Sequence, residues 1–204
     1  MLDKIKWLGH ATFKLNAEKV IYFDPWKLKK GSELADLILI SHDHYDHCVP
    51  EDVAKIQKKD TVIVTPPDCA VKLKGNIREV KPGDKIVANG IPVEVVPAYN
   101  LKKSFHPKSN NWVGFIVTAS GKRIYHPGDT DFIPEMKKLK VDIALMPIGG
   151  TYAMDASDAA RAVEVLKPEV AIPMHYGDIV GTNSDAEKFK KESKVEVRIL
   201  TPEK

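Results

Sequence analysis

With only two cysteines in 204 residues, Cys48 and Cys69, no disulfide framework can staple this chain, and it must rest on a hydrophobic core. No apolar run approaches the ~20 residues needed to cross a bilayer. The N-terminus enters the strand-like stretch Ile5-Lys6-Trp7-Leu8 at once, with no signal-peptide core. A cytoplasmic protein with no membrane span is the expectation. Neither sign of charge dominates: 31 Lys and Arg against 28 Asp and Glu leave a net charge of +3, too little to argue for nucleic acid as a partner. Lys188, Lys190 and Lys191 read as the solvated face of a terminal helix. Glutamine occurs once, and with abundant Lys and Glu this points to a heat-adapted chain. Linkers, low-complexity tracts and short repeats are lacking, so one domain over 1–204 is expected. No Ser-His-Asp or Cys-His arrangement for nucleophilic catalysis stands out either.

What is present is patterned. Hydrophobic residues make up 43% of the chain and charged ones 29%, an ordinary balance for a globular protein. In the first half, 4–15, 20–23, 36–40 and 61–65 read as strands, with a helix over 50–58 that opens on Pro50, Glu51 and Asp52. A short helix is expected near 69–73. Turns at Pro82-Gly83-Asp84, Asn89-Gly90 and Ser120-Gly121 separate further strands at 93–97, 112–118 and 123–125. From there the pattern alternates, with helices at 134–139, 155–166 and 185–194 and strands at 142–146, 170–173 and 195–200. Ala159, Ala162, Val163 and Leu166 share one face of the second of these helices. Hairpins followed by strand–helix alternation predict an α+β fold with two sheets and outer helices.

The most informative stretch is Ser41-His42-Asp43-His44-Tyr45-Asp46-His47, directly after the buried-strand run Leu37-Ile38-Leu39-Ile40. In an extended backbone alternate side chains point the same way, so His42, His44 and Asp46 can share a face. A turn just beyond would aim His47 at a second ion beside the first. Imidazole and carboxylate suit zinc, manganese and iron, and such a cluster is costly to bury without a cation.

This run resembles the signature of the metallo-β-lactamase-fold hydrolases. Gly9-His10-Ala11, Phe23-Asp24-Pro25, Tyr125-His126-Pro127-Gly128-Asp129-Thr130 and Met174-His175-Tyr176-Gly177 carry the resemblance through nearly the whole chain. Their order is similar to the small branch related to ascorbate-6-phosphate lactonase. The resemblance implies an αββα sandwich of two mixed sheets holding two divalent metal ions, zinc or manganese, with nickel or iron also accommodated. It assigns His42, His44 and His106 to one metal, Asp46, His47 and His175 to the other, and Asp129 as the carboxylate bridging them. Related sequences carry a histidine soon after the strand that here ends at Val96-Pro97-Ala98. This chain has Tyr99-Asn100 there, and His106 is the nearby histidine: either the loop folds back and ligates, or His106 is an exposed loop residue.

His10 either orients a ligand or contacts substrate, or simply packs at a strand end; with Asp46 it is the candidate catalytic group. His126 reads as a buried structural imidazole or a partner behind the ligands. Asp24 is either an acceptor for a ligand imidazole's N–H or an Asp-Pro turn residue. Asp131 reads as a turn, and the ligand set needs no sulfur from Cys48. The Gly149-Gly150-Thr151-Tyr152 loop could offer N–H groups or a phenol to substrate. The resemblance implies a metal-dependent hydrolase that turns a metal-bound hydroxide on a small anionic ester, lactone or phosphoester. Two alternatives stand beside it: a phosphodiesterase acting on phospholipid or nucleotide substrates, and a non-catalytic metal-bound module that senses a ligand.

Overall fold

In the computed structural model, which describes residues 1–203, aliphatic and aromatic runs form two sheets built on the same plan. In the first, β1 (Ile5–Gly9), β2 (Thr12–Asn16) and β3 (Val20–Phe23) make an antiparallel meander. Then β4 (Leu37–Leu39), β5 (Val62–Thr65) and β6 (Asn76–Glu79) add on in parallel, in chain order. The second repeats this with an antiparallel run of β7 (Lys85–Ala88), β8 (Ile91–Pro97), β9 (Val113–Ala119) and β10 (Lys122–His126). It continues in parallel with β11 (Ile143–Pro147), β12 (Val170–Met174) and β13 (Glu196–Val197). Parallel neighbours require crossovers. Helices α1 (Pro50–Ile56) and α2 (Pro67–Ala70) provide two of them in the first sheet, and α3 (Ala156–Leu166) and α4 (Asn183–Glu192) two in the second, while segments 24–36 and 127–142 make the β3–β4 and β10–β11 steps. The result is the α+β, αββα sandwich that the sequence pattern and the resemblance led us to expect.

Burial follows from the alternation. In β4, Leu37 and Leu39 enter the core between the sheets with Phe13, Phe115 and Met146. Ile38 and Ile40 face the other way, beneath α1, with Val53, Ile56 and Leu73. A strand covered on both faces reads as a continuous apolar run, which is why 37–40 is legible as one. Helix α3 starts where the Asp155 side chain accepts from the Asp158 N–H, and it buries Ala159, Ala162, Val163 and Leu166. No helix among the described residues is long and apolar enough to cross a membrane.

Two expectations are corrected. The last strand, read over 195–200, pairs only at Glu196–Val197, because Glu196 and Arg198 are exposed at a sheet edge and the chain then leaves the ladder. Strand β6 escaped the reading altogether. It is an edge strand of Asn76, Ile77, Arg78 and Glu79 with little buried surface, so it lacks the apolar signal of its neighbours.

Candidate metal centre

The proposed ligands meet at the C-terminal ends of strands from both sheets. His10 follows β1, Asp24 follows β3, the run from Ser41 follows β4, Asp129 follows β10 and His175 follows β12, while His106 lies in the β8–β9 connection. Local backbone geometry turns them inward. Four of these residues adopt left-handed φ angles, His10 (50°), Asp24 (41°), His106 (57°) and His175 (60°), so each strand reverses sharply where its functional side chain begins. Gly128 allows the two sheets to approach: a Cβ there would lie 2.9 Å from both the Ser41 Cβ and the Val113 carbonyl oxygen.

The run 41–47 does not continue β4. It is a tight turn in which the His47 and Cys48 N–H groups both donate to the His44 carbonyl. His42, His44 and Asp46 therefore do not share a face, as strand alternation led us to expect. The turn splits the run, with His42 and His44 on one side and Asp46 with His47 on the other. The Cys48 thiol packs with the apolar residues beneath α1 and takes no part.

In the first cluster, one ring nitrogen each from His42, His44 and His106 lies within 4.8 Å of the others. His42 Nε2 is 3.2 Å from His44 Nδ1 and 3.3 Å from His106 Nε2. The tautomer of His42 follows from its neighbours. Ser41 donates its hydroxyl to Asp24 Oδ2 (2.6 Å), so it must accept from His42 Nδ1–H (2.8 Å), which leaves the lone pair of Nε2 facing the cluster. His106 is buried, not an exposed loop residue, because its loop folds back. The Asn100 N–H donates to the His106 carbonyl, and Asn100 Nδ2 donates to the carbonyls of Phe105 (2.9 Å) and Tyr152 (2.8 Å). Trp112 walls the cluster, with ring centroids 5.0, 4.8 and 5.4 Å from His42, His44 and His106.

The second cluster brings together Asp46, His47, His175 and also His10. His47 donates Nδ1–H to Asp24 Oδ2 (2.8 Å), so Asp24 orients both His47 and, through Ser41, His42. Asp24 is thus an acceptor for an imidazole N–H and not only an Asp-Pro turn residue. His10 Nε2–H donates to Asp46 Oδ2 (2.9 Å), and the His10 carbonyl accepts the His175 N–H, tying the two sheets together at this point. Asp129 lies between the clusters, its Oδ2 3.0 Å from His175 Nε2, 3.4 Å from His106 Nε2 and 3.7 Å from His47 Nε2. His126 belongs to neither cluster. Its Nε2–H donates to the Ala11 carbonyl (2.8 Å) and its ring stacks on Phe23. Asp131 accepts the Leu101 N–H and pairs with Lys103, holding the base of the 101–111 loop.

Burial sets the charge states. It holds His42 well below the usual imidazole range and brings His10 and His106 down to about 4, despite the opposing carboxylates. Burial also works against the charge on His47, but Asp129, Asp24 and Asp46 outweigh it and raise His47 to about 9. Asp129 stays ionised against its own burial because His175 and His47 draw it well below the carboxylate range. Even so, His47 Nε2, His175 Nε2 and Asp129 Oδ1 are buried without a hydrogen-bond partner. Buried polar atoms are rarely left so, and three on neighbouring side chains, with Asp129 Oδ2 3.0 Å from His175 Nε2 and 3.7 Å from His47 Nε2, fit a cation. The donors are nitrogen and oxygen in the numbers that zinc, manganese or iron accept. Trp112 and Asn100 went unseen in sequence reasoning. Only Trp112's place shortly after His106 hinted at a shared loop.

A two-sheet sandwich with histidines and aspartates gathered at its strand ends defines a class, and residues 4–175 match the model of the Beta-lactamase superfamily domain. Within it, the chain belongs to the UPF0173 metal-dependent hydrolases: it is 37% identical to the member from Thermoplasma acidophilum, covering 92% of this chain and 89% of that protein. A crystal structure from Parabacteroides distasonis superposes with a TM-score of 0.87 at 35% identity, over 96% of this chain and 91% of that one. Igni18, a metallo hydrolase from Ignicoccus hospitalis, gives 0.78 at 26% identity, over 98% and 95% of the two chains.

Proposed function

We propose that this metal-dependent hydrolase is dinuclear, with His42, His44 and His106 holding one divalent cation, Asp46, His47 and His175 the other, and Asp129 shared between them. The observation that carries the reading is the set of buried, unpartnered donor atoms on His47, His175 and Asp129 beside three mutually facing imidazoles. A pair of zinc or manganese ions there would supply a water acidic enough to attack at neutral pH and positive charge for the oxyanion that forms. The chain's own part is positional. Asp24 fixes the rings of His47 and, through Ser41, His42. His10 donates to Asp46 Oδ2, the oxygen that also lies 3.6 Å from His47 Nε2, and so would fix the orientation of a carboxylate holding the second ion. The substrate is a small ester, lactone or phosphoester, with no nucleic-acid partner. Two unpaired buried thiols fit a reducing compartment, and we assign the protein to the cytoplasm.

Elemental analysis of protein purified without added metal, followed by turnover assays with zinc or manganese, tests the reading. Two equivalents per chain and hydrolysis of a generic ester, lactone or phosphodiester are expected. One equivalent would sink the dinuclear site, and full metal occupancy without any turnover would favour the ligand-sensing module. Asp129→Ala should drop activity below one hundredth and reduce bound metal, with the fold intact by circular dichroism. A variant keeping two metals and near-normal turnover would show that Asp129 does not bridge.

A further inference from the structure

The donor cluster opens into a cavity of about 240 Å³. Its floor is His44, Asp46 and Asp129, and its walls are Tyr45, Phe105, Tyr152 and Ile179. Three of the four wall residues are aromatic and the fourth is aliphatic. Tyr45 and Phe105 are 72% and 44% exposed, so these rings are not core residues that happen to pass nearby. Their positions are tied to the proposed ligands. Tyr45 stands between His44 and Asp46 in the tight turn, and Phe105 directly precedes His106, with its carbonyl held by Asn100. Phe105 meets Tyr152 edge-on, at 4.8 Å between centroids and 84° between planes. A third ring added to such a pair gains further edge or offset contacts.

No lysine or arginine is found among the described residues that line the cavity. Two lysines close to it are ion-paired. Lys103, two residues before Phe105, pairs with Asp131; Lys27 pairs with Asp178, the residue before Ile179, at 2.7 Å. An anionic group at the far end of a substrate would therefore leave water for an aromatic wall without a counter-charge, which is unfavourable. The volume lies below the ~300–1,000 Å³ of ordinary ligand pockets, so one ring and a short acyl group fill it.

We infer that the substrate of this site is a small neutral aryl ester or lactone whose non-reacting end is an uncharged aromatic ring. The inference rests on the hydrolase reading above, and it replaces the anionic substrate that the sequence suggested. In the reaction the oxygen of water bonds to the ester carbonyl carbon, and the bond from that carbon to the aryloxy oxygen breaks, its electron pair leaving on that oxygen. One proton of the water passes to the phenolate and the other remains on the acid, so ester and water give acid and phenol.

Three acetates test this with the metal-reconstituted protein: phenyl acetate, 4-(carboxymethyl)phenyl acetate, and 4-(carbamoylmethyl)phenyl acetate, which matches the second in shape but carries no charge. We expect kcat/KM for the carboxylate to be at least tenfold below that of the carbamoyl compound. Phe105→Ala and Tyr152→Ala should raise KM for phenyl acetate five- to twentyfold, a larger factor than for ethyl acetate, which has no ring. Equal or faster turnover of the carboxylate, or an unchanged KM in both variants, would overturn the inference while leaving the hydrolase intact. Should none of the esters turn over, the hydrolase reading passes to the lactone and phosphodiester assays above, and binding decides the cavity. In calorimetry on the metal-loaded protein, benzohydroxamate should bind at least tenfold more tightly than its 4-carboxymethyl derivative. Equal affinity, or the reverse order, would overturn the inference on that ground too.

Discussion

His47 is the residue at which the metal-free protein most clearly stands in for a metal. At neutral pH the three carboxylates around it keep it charged, with a pKa of about 9, while burial keeps His10 and His106 neutral down to about 4. A cation at His47 Nε2 must displace that proton. Metal uptake at pH 7 should therefore release about one proton per chain, with affinity falling about tenfold per pH unit below 9. Calorimetry in buffers of different ionisation enthalpy counts the proton, and a count of zero would refute the assignment. The sign for stability follows as well. His47 is raised above its unfolded value, so its contribution to the metal-free fold is present below pH 6.5 and is lost as pH rises through 9. The two histidines outside the proposed ligand set should part company. His10→Ala leaves Asp46 without its donor and should cost 10–100-fold in activity or metal affinity. His126→Ala removes a bond to the Ala11 carbonyl and a stack on Phe23; it should cost stability of about 1–3 kcal/mol with normal kinetics per folded molecule. Measuring melting temperature, metal content and kinetics on both decides it; a kinetic defect in His126→Ala at full metal content would reverse its role.

At the scale of elements, the loop between β8 and β9 serves both the first histidine cluster and the cavity. It brings His106 to His42, presents Phe105 to the cavity, and is held by Asn100, whose amide donates to the carbonyls of Phe105 and Tyr152. Asn100→Ala removes both bonds from a buried position. We expect it to weaken the first metal about tenfold and leave the second unchanged, which titration with a chromophoric metal chelator would resolve as one shifted and one constant step. Equal weakening of both would mean that the loop supports the whole centre. The same loop shows where sequence reading stops. Strands such as β4 and β12 are legible because both faces are buried and their residues run apolar without a break. The histidines at their ends follow from that placement. The split of the 41–47 run was not legible, since it depends on β4 ending at Leu39 and on two N–H groups converging on one carbonyl. Nor was the wall made by Trp112: it approaches residues some seventy positions away across two sheets, and nothing local marks such a contact.

The molecule as a whole repeats one plan: an antiparallel meander followed by parallel strands, once in each sheet, with Asp24 after β3 in one and Asp129 after β10 in the other. The proposed metal centre is where the two copies meet, at the C-terminal ends of their strands. Hydrogen bonds join the sheets here: the His175 N–H to the His10 carbonyl, the Val113 N–H to the Ser41 carbonyl and the His126 Nε2–H to the Ala11 carbonyl. The apolar core lies away from this edge and includes residues of both sheets, from Phe13 and Leu37 to Phe115 and Ala171. Removing metal should therefore leave the sheets assembled and loosen only their shared rim. A ligand present at a hundred times its dissociation constant stabilises the folded state by about 2.7 kcal/mol. For a domain of this length each kcal/mol moves the melting temperature by about 2–4 °C. Stripping with a chelator should thus lower Tm by about 5–10 °C, with the far-ultraviolet spectrum unchanged at 25 °C and full recovery on adding zinc or manganese. An unchanged Tm would mean that the rim is held by its hydrogen bonds alone. Loss of sheet signal at 25 °C would mean that the ions are part of the core and not only of the site.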